Sequence, residues 1–175
     1  MKIENVKIEI VQGDIADQPG ITAIVNAANA ELRIGGGVAG AIHRAAGPAL
    51  AEECSPQAPI APGEAVLTGA HNLPNTYVIH CLGPVYGADR PEAKLLAQCY
   101  RNALRLAEEN QIDSVAFPAI STGAFGYPIE EATEVVASEI EELCAKAEHL
   151  QKLRFVLFSP SDLDIYLKKF NQFTA

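Results

Sequence analysis

What most constrains this chain is a pattern that occurs twice, in which a short apolar run empties into a glycine-bearing loop and then into helical spacing. Residues 21–25 lead into Asn26-Ala27-Ala28-Asn29 and then Gly35-Gly36-Gly37-Val38-Ala39-Gly40, and Ser114–Phe117 leads into Ser121-Thr122-Gly123-Ala124-Phe125-Gly126. Strands that alternate with helices require an α/β fold with a largely parallel sheet covered on both faces. Ligands in such folds bind beyond the carboxyl ends of the strands, which is where both loops fall. A loop that joins backbone freedom to unpaired N–H donors suits an anionic phosphate. Two of them at one sheet edge suit a diphosphate.

The remaining periodicities agree with this frame. Val6–Gln12 alternates apolar and polar residues and reads as a half-buried strand. Residues 64–68, Tyr77–Cys81 and 152–158 read as further strands. A helix follows the first glycine loop over 38–46, and Pro48 can open a second, short one. Leu96, Cys99, Ala103, Leu106 and Ala107 keep helical spacing, as do Ile129, Ala132, Val135, Val136, Ile140 and Leu143 behind Pro128. Ser161-Asp162-Leu163-Asp164 resembles a capping box, with Asp in place of Glu, opening a last helix to about Phe170. With no linker and no repeat, the 175 residues are expected to form one domain, 1–175, and a monomer.

The charge balance narrows the partners. Thirteen Lys and Arg stand against 22 Asp and Glu, for a net charge of -9. Binding driven by a nucleic-acid backbone relies on cationic side chains that displace counterions, so nucleic acid is not an expected partner. A phosphate would be held through backbone N–H groups and helix ends. No apolar run reaches membrane-spanning length and the first residues lack a signal-peptide core, so the expectation is a cytoplasmic protein with no membrane partner. The four cysteines lack CxxC spacing and read as buried thiols rather than zinc ligands. No His or carboxylate cluster has metal spacing, and neither metal nor cofactor is expected. His80 and Cys81 are adjacent on a strand and point to opposite faces, which argues against a catalytic pair.

Gly35 to Gly40 matches G-x-G-x-x-G literally, but its context departs from a nicotinamide-dinucleotide fingerprint. About nine residues separate the strand from the first glycine, and the region where an acidic strand end belongs is the Pro-rich stretch 55–63. A dinucleotide oxidoreductase is therefore disfavoured. Of Asn26 and Asn29, one reads as local turn chemistry. The other can offer donor and acceptor together to a ribose diol, and Asn29, nearer the glycines, is favoured. Asp14 reads as a turn aspartate or as an acceptor for an exocyclic amine. Phe125 sits in a loop that carries little buried surface, so its ring is free to cover a ligand.

Five separated motifs together resemble the macrodomain family over nearly the whole chain. They are Gly13-Asp14-Ile15, Ile24 to Asn29, Gly35 to Gly47, Val78-Ile79-His80 with Gly83-Pro84, and Phe117 to Gly123 with Phe125-Gly126-Tyr127-Pro128. The pattern is most similar to the MacroD-type branch, which includes bacterial O-acetyl-ADP-ribose deacetylases. The resemblance implies a three-layer α/β/α fold, an ADP-ribose ligand, and hydrolysis of ester-linked ADP-ribose on protein or of O-acetyl-ADP-ribose. It places Asp14 at the adenine amine, with Ile15 and Phe158 near that base and Asn26 beside the ligand. Gly36, Gly37, Val38, Ala39, Ser121, Thr122, Gly123, Ala124, Phe125 and Gly126 would hold the diphosphate and distal ribose, and Asn29 would bond that ribose as the catalytic residue. One departure stands out. MacroD-type hydrolases resemble Gly-Gly-Gly-Val-Asp-Gly at the first loop, with the Asp linked to catalysis, and here that position is Ala39. A binding module without turnover is the alternative this raises. Related macrodomains, viral ones included, resemble the Val-Ala-Gly form and still cleave.

Overall fold

A computed structural model describes residues 1–174. Seven strands form one mixed sheet: β1 Lys2–Ile3, β2 Val6–Gln12, β3 Ala23–Ala27, β4 Ala65–Gly69, β5 Tyr77–Cys81, β6 Ser114–Phe117 and β7 Lys152–Leu157. Their spatial order is β1-β2-β7-β6-β3-β5-β4. The inner pairs β2–β7, β7–β6, β6–β3 and β3–β5 are parallel, and only the edge pairs β1–β2 and β4–β5 are antiparallel. The two-residue β1 carries too few residues to show alternation, which is why the sequence reading does not find it.

Helices cover both faces, giving the three-layer α/β/α architecture. α1 Gly37–Ala46 and α2 Ala49–Cys54 lie on one face, and α3 Glu92–Glu109, α4 Ile129–Lys146 and α5 Pro160–Phe170 on the other. Strand alternation decides the sides. Ala23 and Val25 of β3 join the cluster under α3, α4 and α5, whereas Ile24 joins the cluster under α1 and α2. Phe117 and Phe155 fill the first cluster beside Tyr100, Tyr166 and Phe170. The last helix begins earlier than its capping box implies: Ser159 is the cap and accepts the Asp162 N–H at 3.2 Å, with Pro160 at the first helical position.

The parallel core aims five strand ends at one edge. β3 ends at Ala27, β5 at Cys81, β6 at Phe117, β7 at Leu157 and β2 at Gln12. The register sets their neighbours. β3 lies between β6 and β5, so the first glycine loop sits beside the second and beside Gly83. Gln12 pairs with Leu157, which brings Asp14 and Phe158 to the other half of the same edge.

Candidate functional site

A cavity of about 310 Å³ opens at this edge between the two glycine loops. Asn29, Gly36, Gly37, Val38 and Ala39 form one wall, and Ser121, Gly123, Ala124 and Phe125 the other. Ala27, Ala28, Gly35, Gly83, Ala119 and Ile120 complete the lining; all six fall in the motifs quoted from the sequence, but none is among the residues expected to contact the ligand. No lining residue is titratable.

The first wall is the start of α1. Gly36 takes the N-cap position, no side chain caps the turn, and the first turn holds no acid. Its leading N–H groups therefore face the cavity edge with the positive end of the helix dipole. Arg44 in the last turn complements the other pole. Gly40 is what lets the loop fold this tightly: a Cβ there would collide with the Gly35 carbonyl oxygen. Asn29 ties the loop down, its Nδ2 donating to the Arg33 carbonyl at 2.8 Å and its Oδ1 accepting the Arg33 N–H at 3.0 Å. One amide hydrogen and one lone pair remain for a ligand.

The second wall is a run of bare backbone. The amides of Gly123, Ala124 and Phe125 donate to no other described residue, while Gly126 N–H closes a turn onto Gly123 O at 3.0 Å and Tyr127 N–H reaches Ser121 O at 2.9 Å. Ser121 holds a φ of 68° and its buried Oγ has no partner among the described residues. A Cβ on Gly83 would fall on that oxygen, so the glycine is what gives Ser121 its place. Thr122 turns away, its hydroxyl donating to Ala119 O at 2.9 Å. Phe125 packs half-buried over the cavity, and Gly126, with a φ of 73°, shapes the exit without lining it.

Four expected contacts sit elsewhere. Asn26 is only 1 % exposed and lies in the core. Its Nδ2 pairs with His80 Nδ1 at 3.1 Å, and His80 Nε2 lies 2.9 Å from Thr68 Oγ1, whose hydroxyl donates to Gly69 O. A cross-strand partner 54 residues away, rather than a turn or the cavity, takes that asparagine's amide nitrogen. Ile15 is packed into the core beneath α1 and α2. Asp14 and Phe158 stand at the β2–β7 half of the edge, outside the cavity, and Phe158 is 89 % exposed.

The buried network excludes a nucleophilic thiol. His80 Nε2 approaches Cys54 Sγ at 3.6 Å, but burial, with Glu53 adding, pushes that thiol up to about 11. A thiol so protonated is inert at neutral pH. Burial, and the neighbouring His43, hold His80 down to about 3, so the ring is a neutral hydrogen-bonding post. All four cysteines are unbonded and buried, and no cluster of metal-ligating side chains occurs among the described residues. None of the described helices is long and apolar enough to cross a membrane.

The Macro domain family model matches residues 25–136. A Macro domain-containing protein of Chlorobaculum tepidum is 48 % identical over 166 residues, covering 94 % of this chain and 96 % of its own length. A protein of Klebsiella pneumoniae named O-acetyl-ADP-ribose deacetylase is 47 % identical, covering 92 % and 94 %. A variant of the Oceanobacillus iheyensis macrodomain, solved with ADPR, superposes with a TM-score of 0.94 at 37 % identity, over 99 % of this chain and 97 % of that one.

Proposed function

This chain belongs to the macrodomain family, and from that premise we propose that it binds ADP-ribose and hydrolyses an ester at the distal ribose. The substrate is mono-ADP-ribose on an acidic protein side chain, or O-acetyl-ADP-ribose. The observation that carries this reading is the cavity of about 310 Å³ between an uncapped, acid-free helix start and a second loop of unpaired amides. Such a wall favours a diphosphate, because helix N-termini and free N–H groups both stabilise negative charge. The net charge of -9 opposes an anion at long range, so this local field has to outweigh it.

In this reading the diphosphate lies along α1 from Gly36 to Ala39 and against Ser121 to Gly126. Asn29 bonds the distal ribose with its spare donor and acceptor, and Phe125 covers it. Asp14, through its carboxylate, accepts from the adenine amine, and Phe158 packs on that ring. Water adds across the ester, giving free ADP-ribose and a carboxylic acid. No side chain lining the cavity can take the water's proton, and Ala39 offers only a methyl group. The bound diphosphate itself orients the water, while Asn29 and the glycine amides hold the ribose for attack. Losing a general base costs about 10²–10⁴-fold in rate, which leaves a slow hydrolase. The same absence favours a second reading, a module that binds ADP-ribose without turnover.

The deciding experiment uses a protein auto-mono-ADP-ribosylated on Glu or Asp, incubated with stoichiometric chain, with released ADP-ribose quantified. Release that disappears in Asn29→Ala supports the hydrolase. Tight binding with no release supports the binding module. Release that persists unchanged in Asn29→Ala removes the assigned site.

A further inference from the structure

Behind the Asp14 turn runs a line of hydrogen bonds that reaches back into the sheet. Gln18 is buried, with 6 % of its surface exposed. Its Nε2 donates to the Asp14 carbonyl at 2.8 Å, and its Oε1 accepts from Arg154 Nη1 at 3.0 Å. Arg154 stands on β7 and its Nη2 donates to Glu9 Oε1 on β2 at 3.2 Å. The Gln18 carbonyl in turn accepts from Asn75 Nδ2 at 2.9 Å. In the turn itself, Asp14 Oδ1 takes the Ala16 N–H at 2.8 Å, which leaves the other carboxylate oxygen free of described partners.

The residue types are those the geometry demands. The Gln18 amide donates to a carbonyl at one end and accepts from a guanidinium at the other; a carboxylate loses the donor and an alkyl chain loses both. One planar guanidinium spans two separate acceptors, which an ammonium does less well. Buried hydrogen bonds hold the groups they join in one arrangement, and Gln18 is bonded at both ends of its amide, while Arg154 Nε and Asn75 Oδ1, also buried, have no partner among the described residues. The backbone that carries the Asp14 carboxylate is therefore fixed to β2 and β7 through side chains that need not touch a ligand.

We propose that Gln18 and Arg154 are positioning residues that aim the Asp14 carboxylate at a purine, and that they give the site its preference for adenine over guanine nucleotides. This rests on the reading of Asp14 as acceptor for the exocyclic amine. Adenine presents an amino group where guanine presents a carbonyl oxygen. A carboxylate held in place attracts one and repels the other, whereas a loosened one swings aside and tolerates both.

Calorimetry with ADP and GDP on the full chain tests it. The unmodified protein is expected to prefer ADP by at least about tenfold, as one hydrogen bond to a charged group allows. Gln18→Glu, which keeps the shape and the Arg154 partner but loses the donor, is expected to bring the ratio close to parity, and Arg154→Lys to do so in part. A merely structural role would weaken both nucleotides together and leave the ratio in place; that result overturns the inference. Asp14→Asn separates the two levels. If it abolishes the preference while Gln18→Glu and Arg154→Lys keep it, the positioning role falls and the adenine reading stands. If Asp14→Asn keeps the preference, the adenine reading falls and takes the inference with it. Should Gln18→Glu fail to fold, Arg154→Lys, which retains the charge beside Glu9, decides.

Discussion

The two glycine loops look alike in sequence and are built on opposite foundations. The first leaves β3 over a polar seat, where Asn26 bonds His80 and His80 bonds Thr68. The second leaves β6 over an aromatic one, with Phe117 between Tyr100 at 4.8 Å and Phe155 at 6.0 Å. The first runs directly into α1, whose opening turn is free of caps and acids. The second reaches α4 only after Tyr127 and Pro128, and that helix brings its own acids, Glu130 and Glu131, with Glu131 already taken by the Tyr86 hydroxyl at 2.8 Å. Glycine content alone does not say what a loop contributes. The first loop presents the start of a helix without caps or acids, and the second presents bare amides and the half-buried Phe125.

Acid should separate the two seats most strongly. Burial holds His80 at about 3 against an ordinary 6.5. Below pH 6.5 the unfolded chain takes up a proton that the folded ring refuses until about pH 3. Stability is therefore full above 6.5 and falls as pH drops through that window. Thermal unfolding from pH 7 to pH 4 is expected to show a steep loss of Tm that His80→Gln reduces. Amide exchange is expected to rise first in α1 and the first loop, and last around Phe117. Equal acid sensitivity in His80→Gln would remove His80 as the cause.

Steric room gives the next contrast. At Gly40 a Cβ would collide with the Gly35 carbonyl oxygen and lie 2.9 Å from Arg44 Nη1, whereas at Gly123 and Gly36 it would meet nothing within 4 Å. Gly40→Ala is expected to cost about 1–3 kcal/mol, the range of overpacking, and to lose ADP-ribose binding with the loop. Gly36→Ala and Gly123→Ala should keep the Tm of the parent and lose affinity only. Unfolding and calorimetry on the three variants check this, and an intact Tm in Gly40→Ala would show that the loop can relax.

These contrasts mark what the sequence discloses and what it withholds. The cavity walls were legible because glycine after a strand end has few uses other than close approach, and because parallel strands send their carboxyl ends to one edge. Asn26 was ambiguous for a physical reason. Its side chain points below the sheet edge or above it according to the strand register, and its partner His80 lies 54 residues away. Gln18 and Arg154, 136 residues apart, were invisible for the same reason. Gly83 shows the intermediate case, since the Gly-Pro step after a strand end is visible in the sequence, but the collision it avoids with Ser121 exists only in three dimensions.

The first loop can also be given the group it lacks. Ala39 lines the cavity in the first turn of α1, so Ala39→Asp would add a carboxylate next to the ribose end of the site. Within the range of general-base effects, release of ADP-ribose is expected to rise by at least about tenfold, with ADP-ribose affinity changed far less. Single-turnover release measured beside calorimetric Kd separates the two. An unchanged rate in a folded variant would mean that the diphosphate, or the site's geometry, already does what a base would do.

The smallest predicted effect is an absence of one, and it bears directly on mechanism. With no titratable side chain on the cavity wall, the unmodified protein offers no group lining that wall to protonate during turnover, and the diphosphate of the ligand stays ionised throughout neutral pH. Its release rate should therefore be flat from about pH 6.5 to 8.5, above the window in which His80 affects folding. Ala39→Asp introduces a titratable group, so that variant alone should acquire an acid limb, displaced upward if the diphosphate crowds the new carboxylate. A limb already present in the unmodified protein would point to a histidine instead. His43 is the candidate, because it lies on α1, is buried with its Nε2 unpartnered among the described residues, and is pulled below its ordinary range by burial. A limb that vanished in His43→Gln would assign the proton to the helix rather than to the substrate, and the two loops would then differ in chemistry as well as in foundation.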